Sequence, residues 1–126
     1  MKKILLIEDN EANTNLIRRI LSIHPYEVIH ASDATSGISK AYEIQPDLIL
    51  LDIGLPDLSG TMVVNRLKQI AHTEHIPIVA VTADTTMRTK RLAMDYGCED
   101  VIYKPIETRF FHDRIASYLG YAEYAS

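Results

Sequence analysis

The chain of 126 residues has a single cysteine, Cys98, so no internal disulfide can form and a reducing compartment fits. It has no basic excess: 13 Lys and Arg stand against 17 Asp and Glu, for a net charge of -4, which argues against nucleic acid as the first partner. Long apolar runs are missing too. The opening MKKILLIED joins two lysines to an apolar run, but Glu8 and Asp9 end that run too early for a secretory signal. No later segment is long enough to span a bilayer. Repeats, low-complexity tracts and linker-like stretches are also absent. These absences predict one soluble, cytoplasmic domain over residues 1–126, with no membrane contact and no direct nucleic-acid role. The composition, 47% hydrophobic and 24% charged, suits a packed core and excludes a disordered chain.

Short apolar runs alternate with segments of helical period. Strands are predicted over Lys3 to Ile7, Glu27 to Ala31, Leu48 to Leu51, Ile76 to Val81 and Asp100 to Tyr103. Most are continuously apolar, as strands covered on both faces are. The second, EVIHA, is the least apolar and suits an edge. In the first helix Ala12, Leu16, Ile17, Ile20 and Leu21 share a face, and Pro25 limits its extent. Asp33 caps the second, which turns Ala34, Ile38, Ala41 and Tyr42 inward. Ser59 or Gly60 opens the third, with Met62, Val63, Leu67 and Ile70 apolar. Asp84 or Thr85 opens the fourth, and Gly97 ends it. The last follows Pro105 and buries Phe110, Phe111, Ile115 and Leu119. Five alternations predict an α/β fold: a doubly wound parallel sheet with helices on both faces.

In such sheets the functional crevice lies at the carboxyl ends of the strands. The first strand ends in Glu8 and Asp9, the third in Asp52, the fourth in Thr82 and the fifth in Lys104. Singly, each has an ordinary use as a cap or turn residue. Together they would bring three acids, a hydroxyl and an ammonium to one rim. Three like charges need compensation beyond one lysine. An all-oxygen donor set suits Mg²⁺, with Mn²⁺ as a substitute.

At this point the chain resembles the receiver domain of two-component response regulators. The stretches that carry the likeness are IEDNE (Ile7 to Glu11), LLDIGLPDLSG (Leu50 to Gly60), VAVTAD (Val79 to Asp84) and YKPI (Tyr103 to Ile106). It covers essentially the whole chain. The resemblance implies a flavodoxin-like five-stranded sheet of order 2-1-3-4-5 with five helices. It implies that Asp52 accepts a phosphoryl group from a sensor histidine kinase or a histidine phosphotransfer protein. It further implies a metal held by Glu8, Asp9, Asp52 and the backbone carbonyl of Gly54. Thr82 and Lys104 would contact the phosphoryl oxygens, and the Lys104–Pro105 peptide would be cis. The surface of the fourth helix, fifth strand and fifth helix would then control a downstream protein target. The protein would be a switch rather than a turnover enzyme, and a monomer or a weak phosphorylation-dependent dimer.

Three positions depart from the family pattern. Val101 stands where many receivers carry an aromatic that swings inward, so that rotamer switch is excluded here. Gly54 and Asp84 occupy positions that tend to set phosphoryl lifetime. Gly54 is expected to open a path for water, and Asp84 to orient or repel that water; a dephosphorylation rate unchanged in Gly54→Met would sink the idea. His72 and His75 read as a solvated helix end, since no third metal ligand accompanies them. His24, His30 and His112 have no partners by spacing. Arg88, Lys90 and Arg91 make a basic helix face, suited to solvent, an acidic partner or self-association. Asp100 and Arg114 match positions that pair across dimers in some receivers, and Tyr118, Tyr121 and Tyr124 would pack the last helix or cover a partner site.

Two other classes compete. A haloacid-dehalogenase-type phosphatase needs an acid two residues after its nucleophile, where this chain has Gly54. A flavodoxin-like cofactor binder needs a glycine- and hydroxyl-rich phosphate loop, whereas the turn here reads EDNEAN. Within the family the alternative is the receiver module of a larger DNA-binding regulator or hybrid kinase. Nothing after Leu119 reads as a linker, which favours a stand-alone receiver.

Overall fold

The computed structural model describes residues 1–53 and 59–120. Strand and helix alternate throughout: β1 (Lys2–Ile7), α1 (Glu11–Leu21), β2 (Tyr26–Ala31), α2 (Ala34–Ile44), β3 (Leu48–Asp52), α3 (Gly60–Gln69), β4 (Ile78–Thr82), α4 (Met87–Tyr96), β5 (Asp100–Tyr103) and α5 (Thr108–Tyr118). The sheet is parallel, with strand order β2-β1-β3-β4-β5. The fold class and strand order are those expected, and β2 takes the edge its weaker apolar pattern suggested.

The pleat sends alternate residues to two cores. Leu5, Ile7, Ile49, Leu51, Ile78, Ala80 and Val101 face the layer of α2, α3 and α4, where they meet Ala34, Ala41, Val63, Val64, Leu67 and Ala93. Ile4, Leu6, Leu48, Leu50, Val79, Val81 and Ile102 face α1 and α5, against Ile17, Leu21, Phe111, Ile115 and Leu119. Full burial of one such aliphatic side chain contributes about 1.5–3 kcal/mol. The three central strands therefore form the rigid platform behind the strand-end rim.

Several predicted faces need correction. Ala12 is exposed and Thr14 takes the inward place, because Thr14, Ile17 and Leu21 lie in line on α1. Tyr42 is exposed and its ring sits 4.8 Å from that of His72. Met62 is exposed while Val63, Val64 and Leu67 are buried. Phe110 is exposed because Phe111, Ile115 and Leu119 repeat every four residues and leave it about 100° around the helix. The fourth strand begins at Ile78, not Ile76, since Pro77 has no amide to give to a ladder. Helix α4 is capped by Thr86, whose hydroxyl accepts from the Thr89 N–H, one step past the predicted Asp84 or Thr85. Asp33 caps α2 as predicted, accepting from the Ser36 N–H. Gly97 ends α4 with φ 119°, a left-handed conformation that favours glycine.

Candidate functional site

The rim assembles at the switch point, where β1 and β3 lie side by side and their connections leave in opposite directions. Glu8 follows β1 directly. Its N–H donates to the Ala31 carbonyl at 3.0 Å, continuing the pairing with β2 for one residue past the strand. Its side chain is 1% exposed, so its charge needs a partner. Lys104 Nζ supplies one at 3.1 Å from Glu8 Oε1 and reaches Asp52 Oδ1 at 3.6 Å. The lysine is held in place by its own N–H, which donates to the Thr82 carbonyl at 2.8 Å. The Lys104–Pro105 peptide is cis, as the resemblance implied.

Asp52 ends β3 in a fully buried strand, paired in register with Val81 of β4. Asp9 stands beside it, exposed at the mouth. Carboxylate oxygens of Glu8, Asp9 and Asp52 all lie within 4.8 Å of one another. Burial, the hydrogen bond with Asp52 and its charge push the Glu8 carboxyl up to about 7, against the lowering pull of Lys104. Burial does most of this, and the neighbouring Asp52 adds to it. This donor set fits a hard divalent cation: it offers carboxylate oxygens, no sulfur or nitrogen, and one open, exposed acid at its mouth. Gly54, expected to lend a carbonyl and to tune lifetime, lies outside the described residues.

Thr82 is buried at the end of β4, and its Oγ1 accepts from the Asp84 N–H at 3.0 Å, which leaves its own proton available for donation. Asp84 uses its carboxylate on the start of α4. Oδ1 accepts from the Thr86 N–H at 2.9 Å and Oδ2 from the Thr89 hydroxyl at 2.6 Å. The bonds from Thr89 and Thr86 hold the Asp84 carboxyl below the usual carboxylate range. Val101 is buried in the core on the face covered by α2, α3 and α4. Tyr103, two residues on, stands in register with Thr82 and packs partly against the same core.

Sequence spacing missed several contacts because the partners are distant in the chain. His30 Nε2 lies 2.8 Å from the Glu8 carbonyl and 3.3 Å from Thr14 Oγ1. His24 and His112 stack with ring centroids 3.6 Å apart. Asp100 pairs within the chain, accepting from Arg114 at 2.7 Å and from the Tyr118 hydroxyl. Gly60 packs so closely that a Cβ there would fall 2.5 Å from Ile53 Cα, the residue after Asp52. Tyr121 and Tyr124 lie outside the described residues. Among the described residues no helix is long and apolar enough to cross a membrane.

Fold and site together define a flavodoxin-like domain with an acidic pocket at its switch point. The response regulator receiver domain model matches residues 4–116, and the chain belongs to that family. It is 40% identical over 119 residues to the polar-differentiation response regulator DivK of Brucella anthropi, covering 94% of this chain and 97% of that protein. A CheY-like receiver domain protein from Methanospirillum hungatei superposes with a TM-score of 0.88 at 26% identity, over 100% of this chain and 99% of that one. The receiver domain of a Pseudomonas aeruginosa sensor histidine kinase, solved with a magnesium ion in its active-site cleft, gives 0.87 at 26% identity, covering 94% and 98%. Receiver domains work in two-component systems with histidine kinases and downstream targets.

Proposed function

We propose that this receiver is a phosphoacceptor switch in which Asp52 takes a phosphoryl group from the phosphohistidine of a kinase or phosphotransfer protein. The observation that carries the reading is the convergence of Glu8, Asp9 and Asp52 within 4.8 Å, with Lys104 bridging two of them. In the transfer an Asp52 oxygen–phosphorus bond forms as the phosphorus–nitrogen bond breaks, and the electron pair leaves with the imidazole. Such a transition state needs in-line placement and charge neutralisation more than covalent help. Asp9 and Asp52, with Glu8 direct or through water, would hold Mg²⁺ or Mn²⁺, which would supply neutralisation of charge on the phosphoryl oxygens. Lys104 pairs with one of those oxygens as a point charge. Thr82 donates a hydrogen bond from its hydroxyl to another. The chain turns over no external substrate and serves as a signalling switch.

Readout follows from the bonds around Thr82. When its hydroxyl moves toward the phosphoryl group, it leaves the Asp84 N–H, whose residue anchors Thr86 and Thr89 of α4. The start of α4 is thereby coupled to Asp52 without an aromatic at position 101. Exposed Met87, Leu92 and Met94 on α4 and Phe110 on α5 supply apolar contacts for a protein target beside the edge strand β5. Because the Asp84 carboxylate is engaged with α4, its first role is to hold that helix rather than to activate water.

The test is incubation with acetyl phosphate and Mg²⁺, followed by intact-mass measurement. Wild type gains one phosphoryl group and Asp52→Asn gains none. Modification persisting in Asp52→Asn would overturn the assignment of the acceptor.

A further inference from the structure

The geometry points to His30 as a positioning residue for the acid pair: its Nε2–H holds the Glu8 carbonyl and so sets the peptide that carries both Glu8 and Asp9. The inference deepens the proposed function and rests on it. The ladder between β1 and β2 reaches Ile7 opposite Ala31, and the Glu8 N–H adds one more bond to Ala31. The Glu8 carbonyl then takes the imidazole of His30 at 2.8 Å. A carbonyl only accepts, so Nε2 must carry the proton. The same N–H lies 3.3 Å from Thr14 Oγ1, which itself donates to the Asn10 carbonyl at 3.0 Å. His30 thus ties the end of β1 to the first turn of α1, and the acid pair lies in the short stretch between.

The histidine is itself anchored. Lys40 of α2 donates from Nζ to the His30 carbonyl at 2.7 Å, which fixes the edge strand beneath the ring. Glu8 is therefore held at four places: its N–H by Ala31, its carbonyl by His30, and its carboxylate by Lys104 and by the Asn10 N–H at 3.3 Å. The carbonyl bond controls the Glu8–Asp9 peptide plane. Rotation of that plane would move the Asp9 carboxylate relative to Asp52, and a hard cation tolerates little such displacement. Partners of this outer kind typically change metal affinity by about 10–100-fold when removed.

The experiment is calorimetric titration of Mg²⁺ into phosphate-free wild type, His30→Ala, His30→Gln and His30→Asn, with melting temperatures measured on the same samples. A glutamine Nε2–H reaches about as far from the backbone as a histidine Nε2–H, whereas an asparagine amide falls short. The expected result is Mg²⁺ affinity about tenfold weaker in His30→Ala and His30→Asn, with His30→Gln within about threefold of wild type. Should His30→Ala fail to fold, the Gln and Asn variants carry the comparison between them. Wild-type affinity in His30→Asn, or an affinity in His30→Gln as weak as in His30→Asn, overturns the positioning role while the phosphoacceptor reading stands. No Mg²⁺ binding by wild type overturns both.

Discussion

The acid side and the threonine side of one strand-end rim are held by different means. On the acid side, Glu8 and Asp52 are buried, and the backbone on either side of them is pinned to neighbouring strands. On the threonine side, Thr82 is buried but its continuation is an exposed chain of side-chain bonds through Asp84 to Thr86 and Thr89. Burial makes the first side costly to disturb and electrostatically strong. Exposure makes the second cheap to open, which is the property a moving element requires. The rim thus divides into a fixed charge site and a yielding latch.

The strongest way to break the comparison is to remove charge from the fixed side. Lys104→Met should slow phosphorylation by acetyl phosphate by about 100-fold or more, the usual scale for losing a charge-stabilising donor. Asp52→Asn should instead raise the melting temperature without metal, because it removes the charge that, after burial itself, pushes Glu8 upward. A lower melting temperature in Asp52→Asn would mean that Lys104 already compensates the acids in full. Next in size is Gly60→Ala. Its Cβ would meet the Ile53 backbone at 2.5 Å, and backbone gives way less readily than a side-chain end. Chemical denaturation should show a loss of about 1–3 kcal/mol, with slower phosphorylation because Ile53 adjoins Asp52.

The two sides also differ in how far the sequence revealed them. Apolar runs ending in Glu8, Asp52 and Lys104 carry their own signal, since a buried strand that ends on a charge is unusual. The receiver resemblance rested on the same strand ends, and the strand order was implied by that resemblance, not by the runs themselves. Contacts set by tertiary approach left no such trace. His30 reaches Glu8 across β1 and β2, and His24 reaches His112 from the far end of α1. The helix faces failed where one residue of rotation decides burial, as at Phe110 beside Phe111 or Met62 beside Val63. Asp84 was read from the sequence as an acid at the rim, and its bonds to Thr86 and Thr89 at the start of α4 were not foreseen. An acid two residues before a threonine cap reads equally as the cap itself or as part of the pocket.

Asp84→Ala tests the yielding side. Loss of its bonds to Thr86 and Thr89 should raise amide exchange in the first turn of α4 by roughly fivefold, leaving Mg²⁺ affinity unchanged. A matching fall in Mg²⁺ affinity would show that latch and charge site are one unit, and the division drawn above would fail.

The smallest effect is expected where α5 meets β5, at Asp100, which accepts from Tyr118, Arg114 and the Val101 N–H. Burial alone would raise the Asp100 carboxyl, but the bonds from Tyr118, Arg114 and Val101 outweigh it and hold the group below its ordinary value of 3.8. A carboxyl lowered on folding contributes stability above its unfolded value, and that contribution is lost as pH falls through the lowered folded value. Tyr118 shifts the other way, pushed up to about 12 by burial and then by Asp100, so its contribution holds below 10 and disappears as pH rises through 12. Asp100→Asn should therefore flatten the acid limb of the melting curve below about pH 4 and leave the acid-site chemistry untouched. The pair is about a third exposed, so water screens it, and the difference at pH 3 should be about 1–3 °C. Tyr118→Phe should flatten the alkaline limb instead and, by removing one donor to Asp100, part of the acid limb as well. Parallel acid limbs in wild type and Asp100→Asn would show that this trio adds nothing to the hold of α5 on β5. The hold on α5 would then be as yielding as the one at the start of α4.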